Sequence, residues 1–315
     1  MDGILIIDKP AGWTSHDVVA RARRLLRERG IGHTGTLDPF ATGVLVLLVG
    51  RATRLAQFLS GAEKEYDALV RFGYATHTGD LTGTPREGTA AALDCSRLTD
   101  SRLEAALASL RGEIEQVPPM YSAKKVQGRK LYELARRGEE VERKAVRVFV
   151  REFELAEGVR PNDDGTCDVR ARVVCSAGTY VRALAESWGE LLGAGAHLAA
   201  LRRTRAGAFG LADAVTLEAL GEAAEAGRAG ATLLPFDAAL SELPEVHLTA
   251  EGARRARHGA PVRVEPAAHL SDGQHVRLHA EGEGLFAVGV YDARRPEVRT
   301  RVLLVPQGGA GPEAS

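Results

Sequence analysis

The chain has 315 residues, 44% of them hydrophobic and 26% charged, with a formal net charge of −1. That size and balance suit one large globular domain, or a large and a small one, whose core needs no disulfide or metal staple. They exclude a chain disordered by composition, and no apolar run reaches the roughly 18 residues of a membrane span.

Residues 3 to 7 read as an apolar strand. Thr14 and Ser15 cap a helix whose inner face carries Val18, Val19, Ala22, Leu25 and Leu26, and Gly30 is expected to end it. A polar, glycine-punctuated loop from 32 to 43 leads into an apolar run at 44–49 that reads as a buried strand. Residues 66–72 and 146–153 are strand candidates, and 101–111 look helical. Val169, Ala171, Val173 and Cys175 alternate as in a half-buried strand, and residues 180–192 return to helical spacing. Residues 222–232 look like a weak helix or linker. After Pro244 the character changes to short strands (262–264, 275–279, 285–291, 299–305) separated by Gly, Pro and Asp, which predicts a small β-rich domain. The last residues, Gly-Gly-Ala-Gly-Pro-Glu-Ala-Ser, read as a disordered tail.

Cys95, Cys167 and Cys175 are widely spaced and form no Cys-x-x-Cys pair, which predicts reduced, buried thiols. The N-terminus lacks the basic start, long apolar run and cleavage site of a signal peptide, so a cytoplasmic protein is expected. Charge is segregated. Residues 121 to 151 carry ten Lys or Arg and four Glu, a balance of +6, so the remainder sums to −7. This permits a basic face on a neutral protein, and charge alone allows a solvated helix face equally well.

Several motifs fail on context. Gly30-Ile-Gly-His-Thr-Gly35 has dinucleotide-binding spacing, but a helix precedes it and Pro39 follows where a helix should run. No P-loop occurs. Ser15-His16-Asp17 are adjacent and cannot converge as a triad. His275 and His279 fall in a strand-like stretch with no third ligand to complete a zinc set.

Gly32-His-Thr-Gly-Thr-Leu-Asp-Pro-Phe-Ala-Thr-Gly43 carries more information. Three glycines and a proline fix an irregular backbone around one carboxylate, Asp38. Local chemistry fits a catalytic carboxylate and a backbone-bonded turn aspartate equally well.

The motif resembles the catalytic signature of the TruB family of tRNA pseudouridine synthases, and others follow in family order over residues 3 to about 305. Asp8-Lys-Pro-Ala-Gly12 resembles the family's N-terminal motif, and Lys64-Glu-Tyr-Asp67 the segment bearing its active-site tyrosine. Pro118-Pro-Met-Tyr-Ser-Ala123 and Gly128-Arg-Lys-Leu-Tyr-Glu-Leu-Ala135 resemble its RNA-gripping insertion. Cys175-Ser-Ala-Gly-Thr-Tyr-Val-Arg182 and Gly195-Ala-His-Leu-Ala-Ala-Leu-Arg-Arg203 resemble later active-site motifs. One departure is His77, where the family usually has aspartate.

The resemblance implies an α+β pseudouridine-synthase fold: a mixed, largely antiparallel sheet flanked by helices, with a small C-terminal PUA-like β-barrel. It divides the chain into a catalytic domain at 1–243 with an insertion at about 117–142, an RNA-binding β domain at 244–306 and the tail at 307–315. The implied function is isomerisation of the T-loop uridine at tRNA position 55, by a monomer acting on the tRNA T-arm without cofactor, metal or membrane. A guide-RNA-dependent relative and a tRNA-folding chaperone are the alternatives. By family motif, Asp38 is the nucleophile, Arg182 its ion-pair partner, and Tyr180 a candidate for proton removal at C5. Tyr66 stacks on the flipped base, Leu201 contacts it, and His33 fills the space it leaves. Lys9 and Pro10 support the pocket wall, and Lys124, Lys125, Arg129 and Lys130 contact phosphates.

Overall fold

The computed structural model describes residues 1–304 apart from 90–93, 123, 127, 136, 140, 266 and 267, and it describes no side chain for Lys125 or Lys130. The expected tail at 307–315 therefore lies outside the described residues.

The first half of the chain runs β1 (Gly3–Lys9), α1 (Ser15–Leu26), β2 (Ile31–His33), β3 (Thr42–Val49), α2 (Ala56–Leu59), β4 (Lys64–Phe72), α3 (Asp100–Ala108) and β5 (Gly112–Gln116). A small hairpin, β6 (Lys125–Val126) and β7 (Arg129–Lys130), precedes α4 (Leu131–Ala135), β8 (Val146–Pro161), β9 (Cys167–Cys175), α5 (Val181–Leu192), β10 (Ala196–Ala206), β11 (Phe209–Gly210), α6 (Leu217–Glu225) and α7 (Phe236–Ala239). The rest comprises β12 (Glu245–Leu248), α8 (Ala250–Arg257), β13 (Val262–Arg263), β14 (His275–Ala280), β15 (Gly284–Asp292) and β16 (Glu297–Leu303).

Nine strands form one sheet whose main path is β1-β3-β10-β4-β9-β8-β5, with β2 on β3 and β11 on β10. Every pairing in it is antiparallel except β10 with β3. This is the mixed, largely antiparallel α+β sheet that the motifs imply. The second sheet, β12-β14-β15-β16-β13, is a curled half-barrel left open between β12 and β13, with α8 packed on it. It agrees with a PUA-like unit without closing fully.

The two sheets share a core. Ile4, Ile6, Val44 and Val46 on β1 and β3 pack with Val288, Val302 and Leu304 from the second sheet. The opposite face of the large sheet buries α1, α3, α5 and α6, and Trp188 of α5 meets Phe72 and Phe153 edge-on with centroids 5.0 and 5.3 Å away. Such edge-to-face pairs contribute beyond area burial alone. No helix among the described residues is long and apolar enough to cross a membrane.

Some expectations needed correction. Thr14 caps α1 in a full capping box with Asp17, but the helix stops at Leu26 because Arg27 turns left-handed (φ 50°), three residues before Gly30. The ends of the expected 32–43 loop are strand, leaving 34–41 as the true loop. The helix expected near 222 starts earlier, at Leu217 behind a Thr216 cap. Cys95 and Cys167 are joined in a disulfide with Cα atoms 6.0 Å apart, so only Cys175 keeps a free thiol, which burial pushes up to about 11. The sequence separation of 72 between these two cysteines hides this approach in the sequence.

Candidate active site

The 34–41 loop is pinned from four sides. Thr34 N donates to Val46 O at 3.2 Å. Ser15 Oγ accepts from Leu37 N at 2.9 Å and donates to Leu37 O at 3.2 Å. Gly12 N donates to Pro39 O at 2.8 Å, and Arg203 Nη2 donates to Gly35 O at 3.1 Å. Backbone polar groups away from water need such partners, and here the partners also fix the direction of Asp38.

Asp38 faces a cavity of about 270 Å³ walled by Tyr66, Tyr180, Leu201, Arg182, Lys64 and Arg203, among others. Among the described residues its carboxylate bonds no backbone N–H. It is gripped by Arg182, with Nε 2.9 Å from Oδ2 and Nη2 3.1 Å from Oδ1. The bidentate fork is the strong form of this pair. Arg182 is only 4% exposed, and two of its three remaining N–H groups donate to Thr78 O and Tyr121 O, both at 2.7 Å. Asp38 keeps 32% of its side chain open toward the cavity. Burial pushes its carboxyl up from the ordinary value, while the Arg182 guanidinium pulls the other way.

Tyr66 and Leu201 come from adjacent strands, with register pairs Arg203↔Tyr66 and Leu201↔Ala68. Alternation along the strands puts Tyr66, Leu201 and Arg203 on one face. Tyr180 caps the start of α5, and Gln116 holds its backbone from both sides, accepting from Tyr180 N at 2.7 Å and donating to Tyr180 O at 3.1 Å.

The structure thus brings Asp38, Arg182, Tyr66, Tyr180 and Leu201 together around one cavity. His33 stands outside it at the end of β2, half-buried and edge-on to His16 at 5.6 Å, and its Nδ1 has no partner among the described residues. Burial and the neighbouring His16 hold the His33 ring below the ordinary histidine value. Lys9 is fully buried below the loop and touches no part of the cavity. Its ammonium donates to Pro10 O (2.9 Å), Trp13 O (2.7 Å) and Pro39 O (3.2 Å), and burial lowers it to about 8. Lys124 and Arg129 lie on the 117–142 segment, where Arg129 pairs with Glu139 at 3.4 Å. The side chains of Lys125 and Lys130 lie outside the described residues.

His77 is exposed, and the departure from the family costs the site nothing visible. Its neighbour Thr78 supplies the carbonyl that Arg182 uses, and Asp80 braces that turn by accepting from Thr78 Oγ1 at 2.8 Å and Thr82 N at 2.9 Å. Sequence reasoning passed over Lys64, Gln116, Ser122 and Arg203. Lys64 and Arg203 sat inside motifs already in view, but nothing in their spacing announced burial. Among the described residues no group of three or more His, Cys, Asp or Glu is arranged to hold a metal.

Residues 23–181 match the family model for the N-terminal domain of TruB family pseudouridylate synthases, and residues 182–241 match that for the tRNA pseudouridylate synthase B C-terminal domain. The chain belongs to the TruB family. A relative named tRNA pseudouridine synthase B from Geobacillus thermodenitrificans is 45% identical over 298 residues, covering 95% of this chain and 97% of its own. One of the same name from Thermobifida fusca is 48% identical, covering 85% of this chain and 88% of its own. Among solved structures, an H/ACA ribonucleoprotein bound to a substrate RNA containing 2′-deoxyuridine matches with a TM-score of 0.72 and 27% identity, covering 97% of this chain and 86% of that one. A Cbf5–Nop10–Gar1 complex matches with a TM-score of 0.71 and 28% identity, covering 97% and 85%. At 97% coverage, the fold shared with these two chains extends through the C-terminal half-barrel as well as the large sheet.

Proposed function

We propose that this protein isomerises the T-loop uridine at position 55 of tRNA to pseudouridine in the cytoplasm. The observation that carries the reading is the Arg182–Asp38 fork, set in a cavity walled by Tyr66, Tyr180 and Leu201 in a chain of the TruB family.

The reaction detaches the base at N1, turns it and rejoins it through C5. Atoms and oxidation state are conserved, so the chemistry calls for no co-substrate. It needs a carboxylate that stays ionised once the base has excluded water, and Arg182 supports that form of Asp38. A base stacked in folded RNA must leave the stack to reach Asp38, and an aromatic platform such as Tyr66 repays part of that cost, about 1–3 kcal/mol per stacked base. Tyr180, fixed by Gln116, is the candidate for moving the C5 proton. The insertion at 117–142 supplies the cations that hold the RNA backbone, the half-barrel at 244–306 adds a second RNA surface, and the protein works as a monomer.

The stand-alone reading is favoured over the guide-dependent one by the relatives. Those named tRNA pseudouridine synthase B reach 45–48% identity, against 27–28% for the H/ACA proteins. The test is mass-spectrometric mapping of pseudouridine in a T-arm transcript incubated with protein alone. Conversion at the T-loop uridine without any guide RNA is expected. An unmodified transcript, or one modified only when a guide is added, refutes the reading.

A further inference from the structure

We infer that one flank of α1 is a second docking surface for the substrate RNA, with Arg21 and Arg24 taking backbone phosphates and Trp13 stacking on an unpaired base. This surface deepens the reading above and rests on it for the identity of the RNA.

Residues 13–29 carry five arginines against Asp17 and Glu28, a balance of +3 that lies outside the 121–151 stretch. Both carboxylates are already engaged. Asp17 accepts from Thr14 N at 2.9 Å and from Thr14 Oγ1 at 2.6 Å in the helix cap. Glu28 accepts from Gly30 N at 2.9 Å and from the N-terminal ammonium at 3.3 Å. Arg23 donates to Ile31 O at 2.6 Å. Arg21 and Arg24 have no hydrogen bond or ion pair among the described residues. Positions 17, 21 and 24 share one helix face, and both arginines line a groove of about 390 Å³ with Gly12, Trp13, Asp17 and Ala20.

A surface arginine alone is ordinarily a solvated one. Trp13 sets this groove apart. It is 37% exposed, while the chain's other tryptophan, Trp188, is fully buried. A tryptophan left this open gives up burial that would stabilise the fold. Its backbone is held in place: the carbonyl accepts from the buried Lys9 ammonium at 2.7 Å, and the next residue, Thr14, is fixed by the capping box. A fixed aromatic beside unpaired cations is what a groove for looped or single-stranded nucleic acid needs, one to stack on bases and the other to follow the backbone.

The groove also lies where RNA must pass. Gly12 donates to Pro39 O, next to Asp38, and Ser15 of α1 holds Leu37. On the other side, Arg182 takes the carbonyl of Tyr121 in the 117–142 segment. The Asp38 loop thus sits between α1 and that segment, and an RNA delivering a base to Asp38 meets a basic element on either flank.

The test uses the full chain and an unmodified full-length tRNA transcript. Arg21→Gln combined with Arg24→Gln should weaken binding and lower the slope of log affinity against log salt by about 1.4–1.8, for two lost phosphate contacts. Arg97→Gln combined with Arg102→Gln removes the same charge from exposed positions beside α3 and should leave the slope as it is. A natural slope in the α1 variant, or an equal drop in both variants, overturns the inference. Trp13 gives a separate reading. Because Trp188 is buried, the transcript should quench Trp13 fluorescence and shield it from acrylamide, and Trp13→Ala should weaken binding about 5- to 100-fold. Fluorescence that does not change at saturating transcript overturns the base contact. None of these side chains is buried, so each variant should keep the natural melting temperature and its binding can be read directly. A transcript that binds with these signatures yet keeps its uridine leaves the surface standing and refutes the proposed function. A transcript that is converted while the α1 variant keeps the natural slope does the reverse.

Discussion

Arg182 meets Asp38 edge-on, two nitrogens against two oxygens at 2.9 and 3.1 Å, while two of its three other donors are held by the carbonyls of Thr78 and Tyr121. The arginine is buried and the carboxylate is partly open, so the pair presents its negative end to the cavity. Asp38→Asn keeps the shape and removes the charge. Turnover should fall by at least ~10⁴-fold, as for a lost nucleophile, while affinity for T-arm RNA stays nearly constant. Single-turnover rates and binding measured on the same preparation check this, and near-natural activity in material free of deamidation sinks it.

The pair also sets an acid limb. The role proposed for Asp38 needs it ionised, and its carboxyl lies above the ordinary 3.8 because burial outweighs Arg182. Activity should therefore fall as pH drops through a value higher than that of a free aspartate. Arg182→Met removes the cation that opposes the shift, so the limb should move to still higher pH and the maximum rate should drop. Because Asp38 is 32% exposed, the loss of stability should stay below the ~3–5 kcal/mol of breaking a fully buried pair. A pH–rate profile with an unmoved limb in Arg182→Met contradicts this account.

Lys9 ties the end of β1 to Pro39, one residue past Asp38. Lys9→Met removes the ammonium from three carbonyls, of which Pro39 O keeps the Gly12 N–H, and should cost about 2–4 kcal/mol, at roughly 1 kcal/mol or more per lost bond. Its pH signature is distinct. The folded state holds the proton only to about pH 8, against 10.5 for a free lysine, so between those values the unfolded chain binds more protons. Lys9 thus adds stability as pH rises through that window. Denaturation of both proteins from pH 7.5 to 10.5 should show this rise weakened in Lys9→Met, and parallel curves exclude it.

Gly43 pairs with Arg203 where β3 and β10 run parallel, at φ 99°, and a Cβ there would lie 2.2 Å from Arg203 O. The obstacle is backbone, so nothing can swing aside. Gly43→Ala should push β10 off β3, destabilise the fold by more than the usual ~1 kcal/mol of a point change and depress activity. A melting temperature within a degree of the natural protein's shows that the strands part without strain.

Strands and helices with clean periodicity were legible: β3 from its apolar run, α5 from Val181, Leu184, Ala185 and Trp188, and α1 from its Thr14 cap. β10 was not, because a buried arginine and two register shifts interrupt its alternation. Asp38 stood out as the one carboxylate in a rigid loop, but its partner lies 144 residues away, and only the resemblance joined them. Arg203, Lys64 and Gln116 escaped because a buried polar residue looks like a surface one until its partners are known. The Cys95–Cys167 bridge escaped for the same reason of distance.

The insertion and the cavity should separate experimentally. Lys124 and Arg129 lie on a segment that, among the described residues, adds Tyr121 O and Ser122 to the surroundings of Asp38, and neither cation lines the Asp38 cavity. Lys125 and Lys130 face each other in register across β6 and β7. If these cations hold phosphates, neutralising all four should weaken RNA binding and flatten its dependence on salt. Each lost phosphate contact removes about 0.7–0.9 from the slope of log affinity against log salt. Arg129 is partly engaged by Glu139 at 3.4 Å, so it should count for less than a full contact, and Glu139→Gln should tighten binding slightly by releasing it. Conversion measured at saturating enzyme should recover, because the reacting groups are untouched. Tyr66→Phe should behave in the opposite way, with an unchanged salt slope and a lower rate at saturation. Binding at four or more salt concentrations, beside single-turnover rates for both variants, separates the two tasks. A basic-cluster variant that keeps the natural salt slope would remove the insertion from the electrostatic grip on RNA.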